Sequence, residues 1–149
     1  MLAEMEALWE QFERVHNEVF RWSDRLSDDQ LNWAPPAKDT NSIGNLIGHI
    51  LGVELFWVVN RIGGQPVNRD RAAEFSHRMT RAGLLQRRAE VEARVREALD
   101  NLTATDLNRV VVTQNGEAPA GKFLLYLMSH VSGHMGQVIM TRKLLDSQQ

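Results

Sequence analysis

The sequence contains no cysteine. Disulfides, Cys-ligated zinc, iron–sulfur clusters and a thiolate nucleophile supplied by the chain itself are thereby excluded. Any metal must be held by nitrogen or oxygen, and any sulfur chemistry must draw its thiol from outside. An excess of one charge is also lacking. Seventeen basic residues stand among 19 acidic ones, giving a net charge of −2 and a pI near 6.2. That balance provides no electrostatic footprint for nucleic acid or an anionic membrane. The one Arg-dense stretch, Arg69 to Arg96, is interleaved with Glu and reads as a solvated helix face. The longest apolar runs are broken by His, Ser, Gly or Glu and fall short of the roughly 20 residues that a membrane-spanning helix needs. The opening MLAEMEALWE has neither a basic start nor an apolar signal region. These features predict a cytoplasmic protein with a small-molecule partner, no nucleic acid and no membrane.

What is present is typical of a globular domain. Of 149 residues, 43% are apolar and 24% charged, close to the usual averages. A chain of this length buries roughly 68–70% of its unfolded surface and can support a core without staples. No repeat, low-complexity stretch or linker divides it, so one domain over residues 1–149 is expected.

The apolar pattern predicts four helices. Met5, Leu8, Trp9, Phe12, Val15, Val19 and Phe20 recur at helical spacing and set the first helix at Leu2 to Asp24. A loop from Leu26 to Asn41 follows, broken by Pro35 and Pro36. The second helix starts at Asn41 or Ser42, either of which can cap it, and runs to Ile62 before Gly63-Gly64. It is apolar nearly all round and is therefore expected to be buried. After a polar segment, Gln65 to Thr80, the third helix spans Arg81 to Asn101, with Leu84, Leu85, Ala89, Val91, Val95, Ala98 and Leu99 as its stripe. Val110, Val111 and Val112 with Asn115-Gly116 predict an extended segment or short hairpin across the mouth of the bundle. The fourth helix runs from Ala120 to Leu145. The fold class read from this pattern is all-α, a four-helix bundle.

The histidines carry the chemistry. His130 and His134 lie four apart on the last helix, so their Cβ atoms are roughly 5–6 Å apart on one face. Two imidazoles so placed can converge on one ion at about 2.0–2.1 Å each. His49 sits in the middle of the second helix. Three histidines would cap one face of a divalent metal and leave positions for water or substrate, a catalytic pattern, since structural zinc sites are usually closed by four ligands. Small residues surround the pair, Ser129, Ser132, Gly133 and Gly136, and would let a helix or ligand approach. Gln137, one turn beyond His134, is placed to orient an imidazole or donate to a bound water.

Blander readings compete. A lone buried His is more often a hydrogen-bonded core residue than a ligand. Haem ligated by facing histidines is another possibility for a bundle, but no covalent attachment motif is present and a third convergent His does not help it. His16, at the edge of the first stripe, reads as a packing residue or a support to the ligands, and His77 as solvent-exposed. Trp9, Trp22, Trp33 and Trp57 need only packing roles. In His130-Val-Ser-Gly-His134 no Glu follows the first His, which the metalloprotease signature requires as general base. No carboxylate projects clearly from the His130/His134 face, and Glu54 points away from His49. A peptidase is not expected on that ground.

Ser42-Ile-Gly-Asn-Leu-Ile-Gly-His49-Ile resembles the second-helix motif of the DinB/YfiT-like superfamily, and His130-Val-Ser-Gly-His134-Met-Gly-Gln137-Val-Ile with Arg142 resembles its last-helix motif. Leu31-Asn-Trp33 with the following proline is similar as well. The resemblance runs in order over essentially the whole chain. It implies a four-helix bundle with a divalent ion, nickel or zinc, at His49, His130 and His134, and a homodimer. Family members include transferases dependent on bacillithiol, mycothiol or glutathione, a mycothiol-dependent isomerase and proteins labelled metal-dependent hydrolases. The leading expectation is a metal-dependent transferase that activates an external low-molecular-weight thiol for attack on a small electrophile. A metal-coordinated thiol is deprotonated without a protein base. A hydrolase using metal-bound hydroxide ranks next, and a non-catalytic metal- or ligand-binding stress protein last.

Overall fold

The computed structural model describes residues 1–114 and 116–148. Four long helices carry the architecture: α1 (Ala3–Trp22), α3 (Ile43–Glu54), α5 (Arg81–Asn101) and α7 (Ala120–Asp146). Three short ones sit in the connections: α2 (Asp28–Leu31), α4 (Arg71–Ser76) and α6 (Ala104–Asn108). Strands β1 (Val110–Thr113) and β2 (Gly116–Pro119) form an antiparallel hairpin ahead of α7, with Val111 opposite Ala118. Helix α1 packs on α5 and α7, and α3 packs on the same two, so α1 and α3 face each other across the diagonal of a four-helix bundle.

The predicted stripe of α1, from Met5 to Phe20, is buried throughout. Ser42 caps α3 by accepting from the Asn45 amide. From Ile43 to Glu54 only Asn45 escapes full burial. By length and composition the helical run Ile43–Ile62 could cross a membrane, with 20 residues and a hydropathy of 1.4, contrary to the sequence expectation that no run is long enough; 78% of that stretch is buried inside the bundle. Its apolarity is explained by the core.

Three details differ from the sequence expectation. Beyond Glu54 the helix continues as a π-helix, Leu55–Ile62, closed by the Gly63 amide donating to the Val58 carbonyl at 2.8 Å. The wider turn rotates the segment so that Val58, Val59 and Ile62 stay buried while Phe56 and Trp57 reach a cleft. Leu85 and Ala89 lie on the solvent side of α5 rather than in its stripe, because Leu84, Val91, Val95, Ala98 and Leu99 already fill the contact face. The two loops expected to lack structure hold helices: Ser27 and Gln30 close a capping box at α2, and the Asp70 carboxylate accepts from the Ala73 amide at α4. In the hairpin, Gly116 is already paired with Thr113, while Asn115, the other half of the turn signal, lies outside the described residues.

A buried ion cluster crosses the diagonal. His16 of α1, fully buried, donates from Nε2 to Glu54 Oε2 and from Nδ1 to Glu92 Oε1, each at 2.9 Å. Arg88 donates to the same Glu92 oxygen at 2.7 Å. Burial alone would depress the His16 pKa, but the charges and hydrogen bonds of Glu54 and then Glu92 overcome it and raise it to about 9. Burial likewise pushes the Glu54 carboxyl up against the pull of His16. The pair therefore holds its proton tightly, and His16 is a structural cation set apart from the other histidines.

Removing one partner of such a pair strands a buried charge, at a cost of about 3–5 kcal/mol. His16→Leu is expected to lose that much stability in urea titrations, and His16→Leu/Glu54→Leu to recover most of it. Because the folded value of about 9 exceeds the ordinary 6.5, the His16 contribution is complete below pH 6.5 and is lost as pH rises through 9. Wild-type stability should fall across that window, and the double variant should not show the fall.

Candidate metal centre

His49 sits in mid-α3, and His130 and His134 sit one turn apart on α7, which packs beside it. Their Nε2 atoms converge: His49 to His130 is 3.2 Å, and His134 to His130 is 3.2 Å. All three lie within 4.8 Å of one another. The rings meet edge to face, with centroids 4.5 to 5.4 Å apart. Phe75 of α4 packs against His49 at 4.8 Å and Tyr126 stacks on His130 at 6.0 Å.

The other ring nitrogens are occupied. His49 Nδ1 donates to Glu74 Oε2 at 2.9 Å, and Glu74 in turn accepts two bonds from Arg69, at 2.6 and 2.8 Å. Burial by itself would raise the Glu74 pKa, but the hydrogen bonds and charges of Arg69 and His49 outweigh it and hold the carboxyl below its usual range. Glu74 is thus an anion, and as an acceptor only it sets the His49 tautomer. His134 Nδ1 donates to Gln137 Oε1 at 2.7 Å. Both assignments leave Nε2 with a lone pair aimed at His130. The His130 pKa is lowered to about 4, by burial first, then by His134, His49 and the cations Arg69 and Arg71. Burial also lowers that of His134, against its bond to Gln137. At neutral pH, then, His130 and His134 are uncharged.

The three imidazoles do not all satisfy one another in this arrangement. A single Nε2–H on His130 can serve one of the two facing lone pairs, so the other is left without a donor. A cation at the centre resolves the conflict. Tetrahedral metal–nitrogen bonds of about 2.1 Å place ligand nitrogens about 3.4 Å apart, close to the 3.2 Å seen here. The donor set fits a divalent borderline metal, with Glu74 and Gln137 orienting two of the rings.

Sequence reasoning missed Glu74 and Arg69. No carboxylate is expected on the histidine face of α7, and the one that arrives comes from α4, in a segment that reads only as polar. One signal was available: Gly44, Gly48 and Gly52 repeat at four-residue spacing along the His49 helix. A Cβ at Gly52 would overlap Glu74 Oε1, so glycine there is what lets the carboxylate reach His49. Gly133 and Gly136, in contrast, face open space rather than a neighbouring helix. His16 does not approach the centre and is bound to Glu54 and Glu92 instead. His77 is exposed. Trp57 is not confined to the core: it stacks on Phe123 at 4.8 Å and walls a cleft of about 360 Å³ that opens beside His49 and His130.

The sequence pattern of the DinB superfamily matches residues 11–138. Two solved structures are similar in fold. A conserved protein from Enterococcus faecalis superposes with a TM-score of 0.74 at 15% identity, over 99% of each chain. A DinB-like protein from Bacillus subtilis superposes with a TM-score of 0.69 at 21% identity, over 94% of this chain and 92% of its own. Among curated proteins none is significantly similar in sequence.

Groups that orient metal-bound histidines typically contribute 10–100-fold to affinity. Glu74→Gln is therefore expected to weaken zinc binding by roughly 10–100-fold in competition with a chromophoric chelator. Gly52→Ala, which displaces Glu74 without touching a histidine, should shift affinity in the same direction. Unchanged affinity in both would mean that the Glu74–His49 bond plays no part in holding an ion.

Proposed function

This chain belongs to the DinB superfamily, and we propose that it is a metal-dependent transferase in which His49, His130 and His134 hold one nickel or zinc ion that activates an external low-molecular-weight thiol for attack on a small electrophile. The observation that carries the reading is the pairing of the convergent histidines with a cleft that offers no thiol, carboxylate or aliphatic hydroxyl of its own. Among the described residues lining that cleft there is no Asp, Glu, Ser or Thr, and the chain has no cysteine. Glu74, the nearest carboxylate, is committed to Arg69 and His49. A bound divalent ion supplies Lewis acidity, which makes a coordinating thiol a thiolate near neutral pH.

The residues of the chain do the rest by placement. Glu74 and Gln137 hold His49 and His134 with their lone pairs inward. Burial and the neighbouring cations keep His130 unprotonated, so protons do not compete for its donor atom. Val53, Phe56, Trp57 and Tyr126 give the cleft an apolar and aromatic lining beside the centre. This reading implies a cytoplasmic protein, since low-molecular-weight thiols are kept reduced there.

The test uses untagged protein purified without added metal. About one nickel or zinc per chain is expected, and His130→Ala/His134→Ala should lose it. On nickel-loaded protein, 2-mercaptoethanol should produce a sulfur-to-metal charge-transfer band that the double variant lacks. Absence of that band, with turnover of activated esters in thiol-free buffer, would replace the transferase by a hydrolase. No metal uptake at all would overturn both.

A further inference from the structure

The cleft beside the histidines carries an unbalanced positive charge. Two arginines line it, Arg69 and Arg71. Arg69 is neutralised by its two bonds to Glu74. Arg71 is not: among the described residues it makes no hydrogen bond or ion pair, and its guanidinium lies 5.8 Å over the Phe75 ring, which itself packs on His49. Nearly every other arginine has a partner, as with Arg81 on Asp24, Arg88 on Glu92 and Arg142 on Asp146. Arg71 is thus a cation held at the mouth of the cleft by an aromatic contact, with its donors free. Phe56, Trp57 and Tyr126 line the same cleft.

We propose that this cleft takes a ligand with a carboxylate at one end and a flat or apolar body, the carboxylate lying on Arg71 and the body against Trp57 and Tyr126. A guanidinium presents a planar pair of N–H donors that matches a carboxylate. In the metal-free protein one unpaired guanidinium balances a monoanion, whereas a phosphate dianion would call for a second free cation. In the adjoining cavity under the hairpin, Lys122 is accompanied by Glu117, so that cavity adds no net positive charge. The proposal rests on the three-histidine centre being the reactive site, and it assigns the substrate or thiol an acid group that orients it past His130.

The experiment reads binding without turnover. Metal-free and nickel-loaded protein are titrated with 4-fluorobenzoate, 4-fluorobenzamide and 4-fluorophenyl phosphate, followed by fluorine NMR, in wild type, Arg71→Gln and Arg71→Lys. The metal-free series is decisive, because there the carboxylate cannot bind a metal. Wild type is expected to prefer the benzoate over the benzamide by at least fivefold, Arg71→Gln to bring the two within twofold, and Arg71→Lys to restore part of the preference. Equal affinities in wild type, a preference untouched in Arg71→Gln, or tighter binding of the phosphate would overturn the proposal. Circular dichroism checks folding, which should survive because Arg71 is exposed and without an ionic partner. Nickel content on the same samples separates the two readings. Benzoate preference without nickel uptake would sink the metal reading and keep this one; nickel uptake without the preference would do the reverse.

Discussion

The burial of α3 on all sides governs the rest of the structure. A helix enclosed by α4, α5 and α7 can carry polar groups only if each finds a partner inside the protein, since an unpaired buried charge or imidazole loses its water without compensation. Two such groups stand on it, His49 and Glu54, and each recruits its surroundings. Glu54 draws His16 across the bundle diagonal and, through it, Glu92 of α5. His49 draws Glu74 and Arg69 from a connection that would otherwise be a solvated loop. Short α4 exists where it does because Asp70 caps it and because Gly52 leaves room for the carboxylate it carries.

The same residue type serves opposite ends in these two places. His16, between two carboxylates, is held protonated with a pKa of about 9. His130, half-buried near two arginines and two other imidazoles, is held neutral with a pKa of about 4. Environment alone separates a structural cation from a lone-pair donor. The arginines near His130 contribute to that neutrality, and the anion of Glu74 stops their charge from dominating the cleft. Arg69 is spent on orientation and Arg71 is left for whatever enters.

Much of this was legible in the sequence. The period of the apolar residues gives the four long helices, with α5 at the residues expected, and the spacing of His130 and His134 on one face follows from helical geometry alone. What stayed hidden depends on information that side-chain pattern does not carry. The shift to a π-helix at Leu55 changes the hydrogen-bond register of a run that is apolar in either register. Glu74 meets His49 across 25 residues of chain, and in sequence it cannot be told from the exposed acids around it. Leu85 looks like core because the stripe is counted in sequence, whereas the width of the contact is set by the neighbouring helices.

The division between the helical centre and the wall of the cleft bears on function. The three histidines stand on α3 and α7, long helices locked into the core by Ile47, Ile50, Leu127 and Val131, so their convergence depends on the whole bundle. The cleft beside them is finished by other parts: Arg71 from α4, Gln114 from the hairpin turn, and the ring of Trp57 turned outward by the π segment. Substitutions in those parts can alter the cleft without disturbing the convergent histidines, the usual arrangement when loops on a rigid scaffold set specificity. Likeness in fold at 15 and 21% identity speaks for the bundle alone, so under the proposal made above it is Arg71 and the aromatic residues of the cleft, rather than the shared fold, that set what this chain binds.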